Sequence, residues 1–201
     1  MSWLLLNTGY EFQKTPTDVE VDYKQTFGTY LTFKEKQWDI NLGVYGQTGE
    51  SADKNVNAWY AGAYFGYEAS KEFKVGLGHE YLSGKDQNDF SSNNKSFTPL
   101  FGTNHGFNGF MDYFYVGNHQ NSVGLNDTYL KLNYTFNKWQ FACIPHIFNA
   151  PNSVLDATSQ KMDAYLGTEL DLTATYTVQK DIVAMAGYSQ MFGSSTLERI
   201  K

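Results

Sequence analysis

Apolar and polar residues alternate with a period of two through most of this chain. Trp38, Ile40, Leu42 and Val44 interleave with Asp39, Asn41 and Gly43, and Phe73, Val75, Leu77 and Tyr81 with Lys74, Gly76, Gly78 and Glu80. A period of two sends the two sets to opposite faces of a β-strand. Such segments run over about 3–12, 24–33, from 38 to a loop at 47, 56–67, 73–83, 127–136, 139–148, 164–176 and 182–192. The connections between them alternate in length. Polar loops over 14–22, 47–55, 84–126 and 148–161 follow the first, third, fifth and seventh segments, and tight turns follow the second, fourth, sixth and eighth. Short turns on one side and long loops on the other, joining strands of about ten residues, are expected of an antiparallel transmembrane β-barrel. The expected fold is therefore all-β and porin-like: a single domain over 1–201, forming a partial barrel of about nine strands with a long loop at about 84–126.

Composition agrees with this expectation. Fifteen Tyr, fifteen Phe and four Trp accompany only 18% charged residues. Trp38, Tyr67, Phe73, Phe136, Trp139 and Tyr176 flank the short turns, where an aromatic girdle would meet lipid headgroups. The mean hydropathy of −0.47 does not conflict, because lipid-facing and lumen-facing residues cancel. No run approaches the 18 apolar residues that a membrane-crossing helix needs. A net charge of −6 with Arg199 as the only arginine argues against nucleic acid as a partner. The lone Cys143 excludes an internal disulfide framework and a multi-cysteine zinc site.

The ends raise a separate expectation. Met1 leads into Trp3-Leu4-Leu5-Leu6 with no cationic segment or cleavage site, and nine is an odd number of strands for a bacterial barrel. The segment from Thr196 to Lys201 also lacks an aromatic-ended closing strand. The chain is thus expected to be part of a larger barrel, with its true ends missing.

The stretch Phe97-Thr-Pro-Leu-Phe-Gly-Thr-Asn-His105, continuing Gly-Phe-Asn-Gly-Phe-Met-Asp-Tyr-Phe-Tyr-Val-Gly-Asn-His119, resembles outer-membrane proteins of the alginate-export family, particularly those of Bacteroidetes. Gly124-Leu-Asn-Asp-Thr-Tyr129 and Tyr165-Leu-Gly-Thr-Glu-Leu-Asp-Leu172 are similar to the same family. The likeness covers roughly Phe73 to the end and corresponds to the family's C-terminal half. It implies a barrel, monomeric when complete, in the outer membrane of a Gram-negative bacterium, with lipid around it and a polysaccharide or smaller polar solute passing through. The family's alginate exporter has an arginine-rich lumen to pair with uronates. Arg199 alone does not supply one here, so the fold carries over better than the substrate.

The long loop is the main functional candidate, because a loop folded into a barrel sets the constriction. Asn104, His105, Asp112, Asn118 and His119 are its candidate lining residues, and its aromatics offer flat surfaces to sugar rings. The alternation adds Asp39, Lys74, Glu80, Lys131, Glu169 and Asp171 to the lumen. His105, Asp112 and His119 match no zinc spacing, so no metal is expected. Glu80, Glu169 and Asp171 permit a glycosidase reading, but no catalytic or nucleotide-binding motif accompanies them, and neither an enzyme nor a cofactor is expected. The resulting expectation is an outer-membrane channel for passive passage of polysaccharide or small polar solutes. The alternative is a soluble all-β carbohydrate-binding module.

Overall fold

The computed structural model describes residues 1–101, 108–119 and 122–201. Among these residues nine strands follow one another in space as they do in sequence, each antiparallel to the next: β1 (Ser2–Thr15), β2 (Asp18–Glu35), β3 (Trp38–Glu50), β4 (Asn55–Glu68), β5 (Phe73–Leu82), β6 (Leu125–Phe136), β7 (Trp139–Asn149), β8 (Tyr165–Gln179) and β9 (Ile182–Gly193). The sheet is open, with β1 and β9 each paired on one side only. It is nonetheless curled, since one cavity of about 460 Å³ is lined from β2 through β8, by Lys34, Asp39, Tyr64, Lys74, Lys131 and Thr173 among others.

The alternation becomes two chemically distinct faces. Outward lie Val44, Phe65, Leu77, Phe141, Leu172 and Tyr188, all substantially exposed. Toward the hollow lie Asp22, Gln47, Glu80, Asp127, Glu169 and Asp171. The register sets the turn-flanking aromatics beside one another: Trp38 opposite Tyr67, Phe136 opposite Trp139 and Trp139 opposite Tyr176. The rings of Trp38 and Tyr67 touch with centroids 4.9 Å apart, and those of Trp139 and Tyr176 at 4.7 Å. At the other end of the outward face Trp59 stacks on Tyr81 at 4.3 Å.

Two expectations about element boundaries are corrected. The segments 14–22 and 47–55 are mostly strand. β1 and β2 run on to a tight turn at Pro16–Thr17, and β3 and β4 leave only 51–54 as a connection. The chain's last residues form a short helix α1 (Ser195–Ile200), started by the Ser194 hydroxyl accepting from the Leu197 amide.

The core is a plug at the long-loop end of the hollow. Phe97, Phe114, Val123 and Val154 from the connections, with Leu197 from α1, bury against Val56, Leu82, Leu125, Phe148 and Leu166 from the strands. The described parts of the connection from Ser83 to Gly124 are tied in by hydrogen bonds. Asn94 exchanges backbone bonds with Asn55 and Asn57. The Gln47 side chain, 1% exposed, brackets Thr98 by donating to its carbonyl at 2.8 Å and accepting from its amide at 3.1 Å. A buried primary amide paired on both sides in this way avoids the 1–3 kcal/mol or so that an unmade bond would cost.

Candidate functional site

Strands β5 to β8 each send a charged or ionisable side chain to one level of the hollow. Glu80 comes from β5, Asp127 from β6, His146 from β7, and Glu169 and Asp171 from β8. Neighbouring register makes this possible: Glu80 is opposite Asp127, and His146 is opposite both Tyr129 and Glu169. Asp127, Glu169 and Asp171 are at most 1% exposed. The His146 Nδ1–H donates to Asp127 at 2.9 Å, and its Nε2 lies 3.8 Å from Asp171 Oδ2.

The long loop closes over this belt and is held by it. Asn108 Nδ2 donates to Glu80 at 3.0 Å and to Asp127 at 3.1 Å. The backbone amides of Phe110 and Met111 donate to Asp171 Oδ2 at 3.2 Å and Glu169 Oε1 at 2.8 Å. Gly109 has φ +91°, and a Cβ there would stand 2.6 Å from Glu169 Oε1; only glycine lets the backbone approach so closely. Four carboxylates therefore grip a four-residue segment through three of its donor groups. Among the described residues, Glu169 Oε2 and Asp171 Oδ1 are buried with no hydrogen-bond partner.

Beyond the belt, toward the short turns, the hollow is open. Tyr30, Tyr60, Tyr64 and Tyr129 line it next to Glu80, followed by Lys34, Lys36, Lys74 and Lys131 at the rim. Lys74 pairs with Glu68 at 2.8 Å and Lys34 with Asp39 at 3.3 Å. A passage along the hollow would thus meet cationic, then tyrosine-lined, then acidic surfaces.

The sequence-derived candidates separate into groups. Glu80, Glu169 and Asp171 converge at the belt, whereas Lys74 and Lys131 lie at the other end of the hollow. Asp112 is half-buried one residue past the gripped segment, with left-handed backbone at φ +58°. Asn118 donates to the Tyr113 carbonyl at 2.8 Å. Asn118 and His119 border a separate cavity of about 450 Å³ at the loop end, with Lys85, Arg199 and Lys201. Asn104 and His105 fall outside the described residues. Asp127, His146 and Asn108 are absent from the sequence-derived set. The alternation places the first two on the inward face, but their convergence depends on which strands become neighbours. Among the described residues no group of three or more His, Cys, Asp or Glu is arranged to hold a metal ion.

His119 gives the loop a pH dependence. It is 4% exposed, and burial pushes its imidazole down to about 4 from the usual 6.5, against a hydrogen bond with the Phe114 backbone and with repulsion from Lys201 adding to the drop. The packed loop therefore holds a neutral His119, and the released loop binds the extra proton first. Loop stability is full above pH 6.5, falls with pH through that window, and reaches its minimum below about 4, a loss of about 3 kcal/mol. The protection of amides 108–119, taken relative to the intrinsic exchange rate at each pH, is expected to fall between pH 6.5 and 4, and His119→Gln to remove that component. Asp89, lowered chiefly by its hydrogen bond from Lys95, and Asp156, lowered chiefly by the Gln160 amide, titrate below this window.

Compared with protein-family models, curated proteins and solved structures, the chain matches none of them.

Proposed function

We propose that the chain forms the wall of an outer-membrane channel of porin type, through which small polar solutes pass passively past a loop-narrowed acidic constriction. The observation that carries the reading is the outward face. It is mainly apolar between two aromatic rows, with His79 and Thr128 hydrogen-bonded to each other upon it, and among the described residues no second layer covers it. Leu77 is 56% exposed, Val44 55%, Phe65 49% and Tyr188 60%, whereas soluble monomers rarely leave contiguous apolar patches beyond a few hundred Å². The two rows are eight residues apart on β4 (Trp59 to Tyr67) and eleven on β8 (Tyr165 to Tyr176). At about 3.3 Å per residue and a tilt near 40°, that is a height of roughly 20–28 Å, against an apolar band of about 25 Å in outer-membrane barrels.

Backbone groups in a bilayer need partners, so the free edges of β1 and β9 pair there with each other or with further strands. The family likeness in the loop and in β8 supports the same reading, with the solute left open. The acidic belt favours cations and neutral molecules over anions. Addition of the full chain to a planar bilayer is expected to give discrete conductance steps, with potassium more permeant than chloride. A water-soluble monomer that leaves the bilayer silent would sink the proposal and favour the soluble carbohydrate-binding alternative.

A further inference from the structure

We infer that the tyrosine-lined part of the hollow is a binding subsite for a neutral hexopyranose unit. As a station on a transport route this rests on the channel reading, but the binding itself is read from the cleft. Tyr30, Tyr60, Tyr64 and Tyr129 come from β2, β4 and β6 and surround a space of about 340 Å³ with Glu80 and Lys131. Ligand pockets occupy about 300–1,000 Å³.

The rings lie along the wall, and glycines allow it. Tyr64 lies over Gly66 and Gly76, and Tyr129 over Gly78; a Cβ at Gly76 or Gly78 would overlap the ring laid across it. Tyrosine packed over a glycine is held flat, with one face against the sheet and the other free. Tyr64 and Tyr129 are within 16° of parallel, with centroids 6.4 Å apart. The result is a tiled aromatic floor edged by hydroxyls, with Glu80 accepting from the Tyr60 hydroxyl at one end and Lys131 at the other.

An aromatic face is electron-rich and attracts polarised C–H groups. A pyranose presents such C–H groups on its ring face and hydroxyls around its rim. The floor takes the face, and Glu80, Asn41, Lys131 and the tyrosine hydroxyls take the rim. Charge decides which sugar. Among the described residues, Asp39 and Glu80 line the space with Lys131, Asp39 being paired with Lys34 at its edge, and Asp127, Glu169 and Asp171 stand behind Glu80. A uronate would meet like charge, which disfavours it.

The test uses the full chain in detergent micelles, titrated calorimetrically with maltotriose and separately with trimannuronate. Maltotriose is expected to bind about tenfold or more tighter than trimannuronate. Tyr30→Ala removes a ring that is 40% exposed, so the fold survives it, and maltotriose affinity is expected to fall about tenfold. Gly78→Val lifts Tyr129 off the wall and is expected to do the same. Equal or tighter trimannuronate binding, no binding of either sugar, or Tyr30→Ala leaving affinity unchanged would each overturn the subsite. Ion conductance with no sugar binding sinks the subsite and leaves the channel. Sugar binding by a water-soluble monomer sinks the channel and leaves the subsite.

Discussion

His146→Leu is expected to cost about 3–5 kcal/mol and to free the loop segment 108–111 from the strand wall. His146 is 7% exposed, and its Nδ1–H bond to Asp127 supplies the only ring donor among the described residues at a level with four carboxylates. Leucine keeps much of the volume and the packing beside Phe148, whose ring centroid is 5.5 Å from that of His146. The loss is therefore electrostatic: Asp127 stays buried with Asn108 as its remaining donor among the described residues and with the carboxyl groups of Glu80 and Asp171 nearby. Removing one partner of a buried pair carries a penalty of that size, while replacing both is often close to neutral. The double variant His146→Leu/Asp127→Leu is accordingly expected to recover most of the loss. Urea unfolding in micelles measures the cost, and hydrogen exchange at the Phe110 and Met111 amides reports whether the loop has let go. A single-variant cost below about 1 kcal/mol would mean that the pair does not hold the belt.

Leu77→Arg is expected to cost about 2–4 kcal/mol when the protein unfolds from lipid. Leu77 sits outward on β5, midway between Phe73 and Tyr81, which mark the two aromatic rows. At a position this exposed in a water-soluble protein, the same change usually stays within about 0.5 kcal/mol. Its size thus reports what surrounds the outward face. Lys74→Gln, three residues earlier on the same strand but facing the hollow, is the matched control. It breaks an exposed pair with Glu68 and is expected to cost no more than about 1 kcal/mol.

The two faces were legible in the chain because a period of two is a local property. Leu77 and Glu80 differ in side simply by parity. The hairpin extensions were hidden by composition. Asp18 to Asp22 and Gln47 to Glu50 look like loop, yet they are strand whose inward polar groups have partners. Asp22 accepts from the Asp53 amide at 3.0 Å, and Gln47 brackets Thr98. Helix α1 did carry a signal, with Ser194 at its cap, Glu198 in the first turn and Arg199 in the last, a combination suited to the helix dipole. Glu80, Glu169 and Asp171 could be placed inward from alternation alone. Their meeting with Asp127, His146 and Asn108 could not, because it needs β5 to β8 side by side and a loop turned back into the hollow, and no local pattern encodes either.

Depth-resolved fluorescence quenching by brominated lipids tests most directly whether the outward face lies against a bilayer. Two single-tryptophan variants suffice: one keeps Trp139, and the other carries Leu77→Trp with the native tryptophans replaced by phenylalanine. In vesicles, Trp139 is expected to be quenched most by bromines near the headgroups and the tryptophan at position 77 by bromines deep in the acyl chains. Both tryptophans unquenched, with the protein in the aqueous supernatant, would contradict the membrane reading.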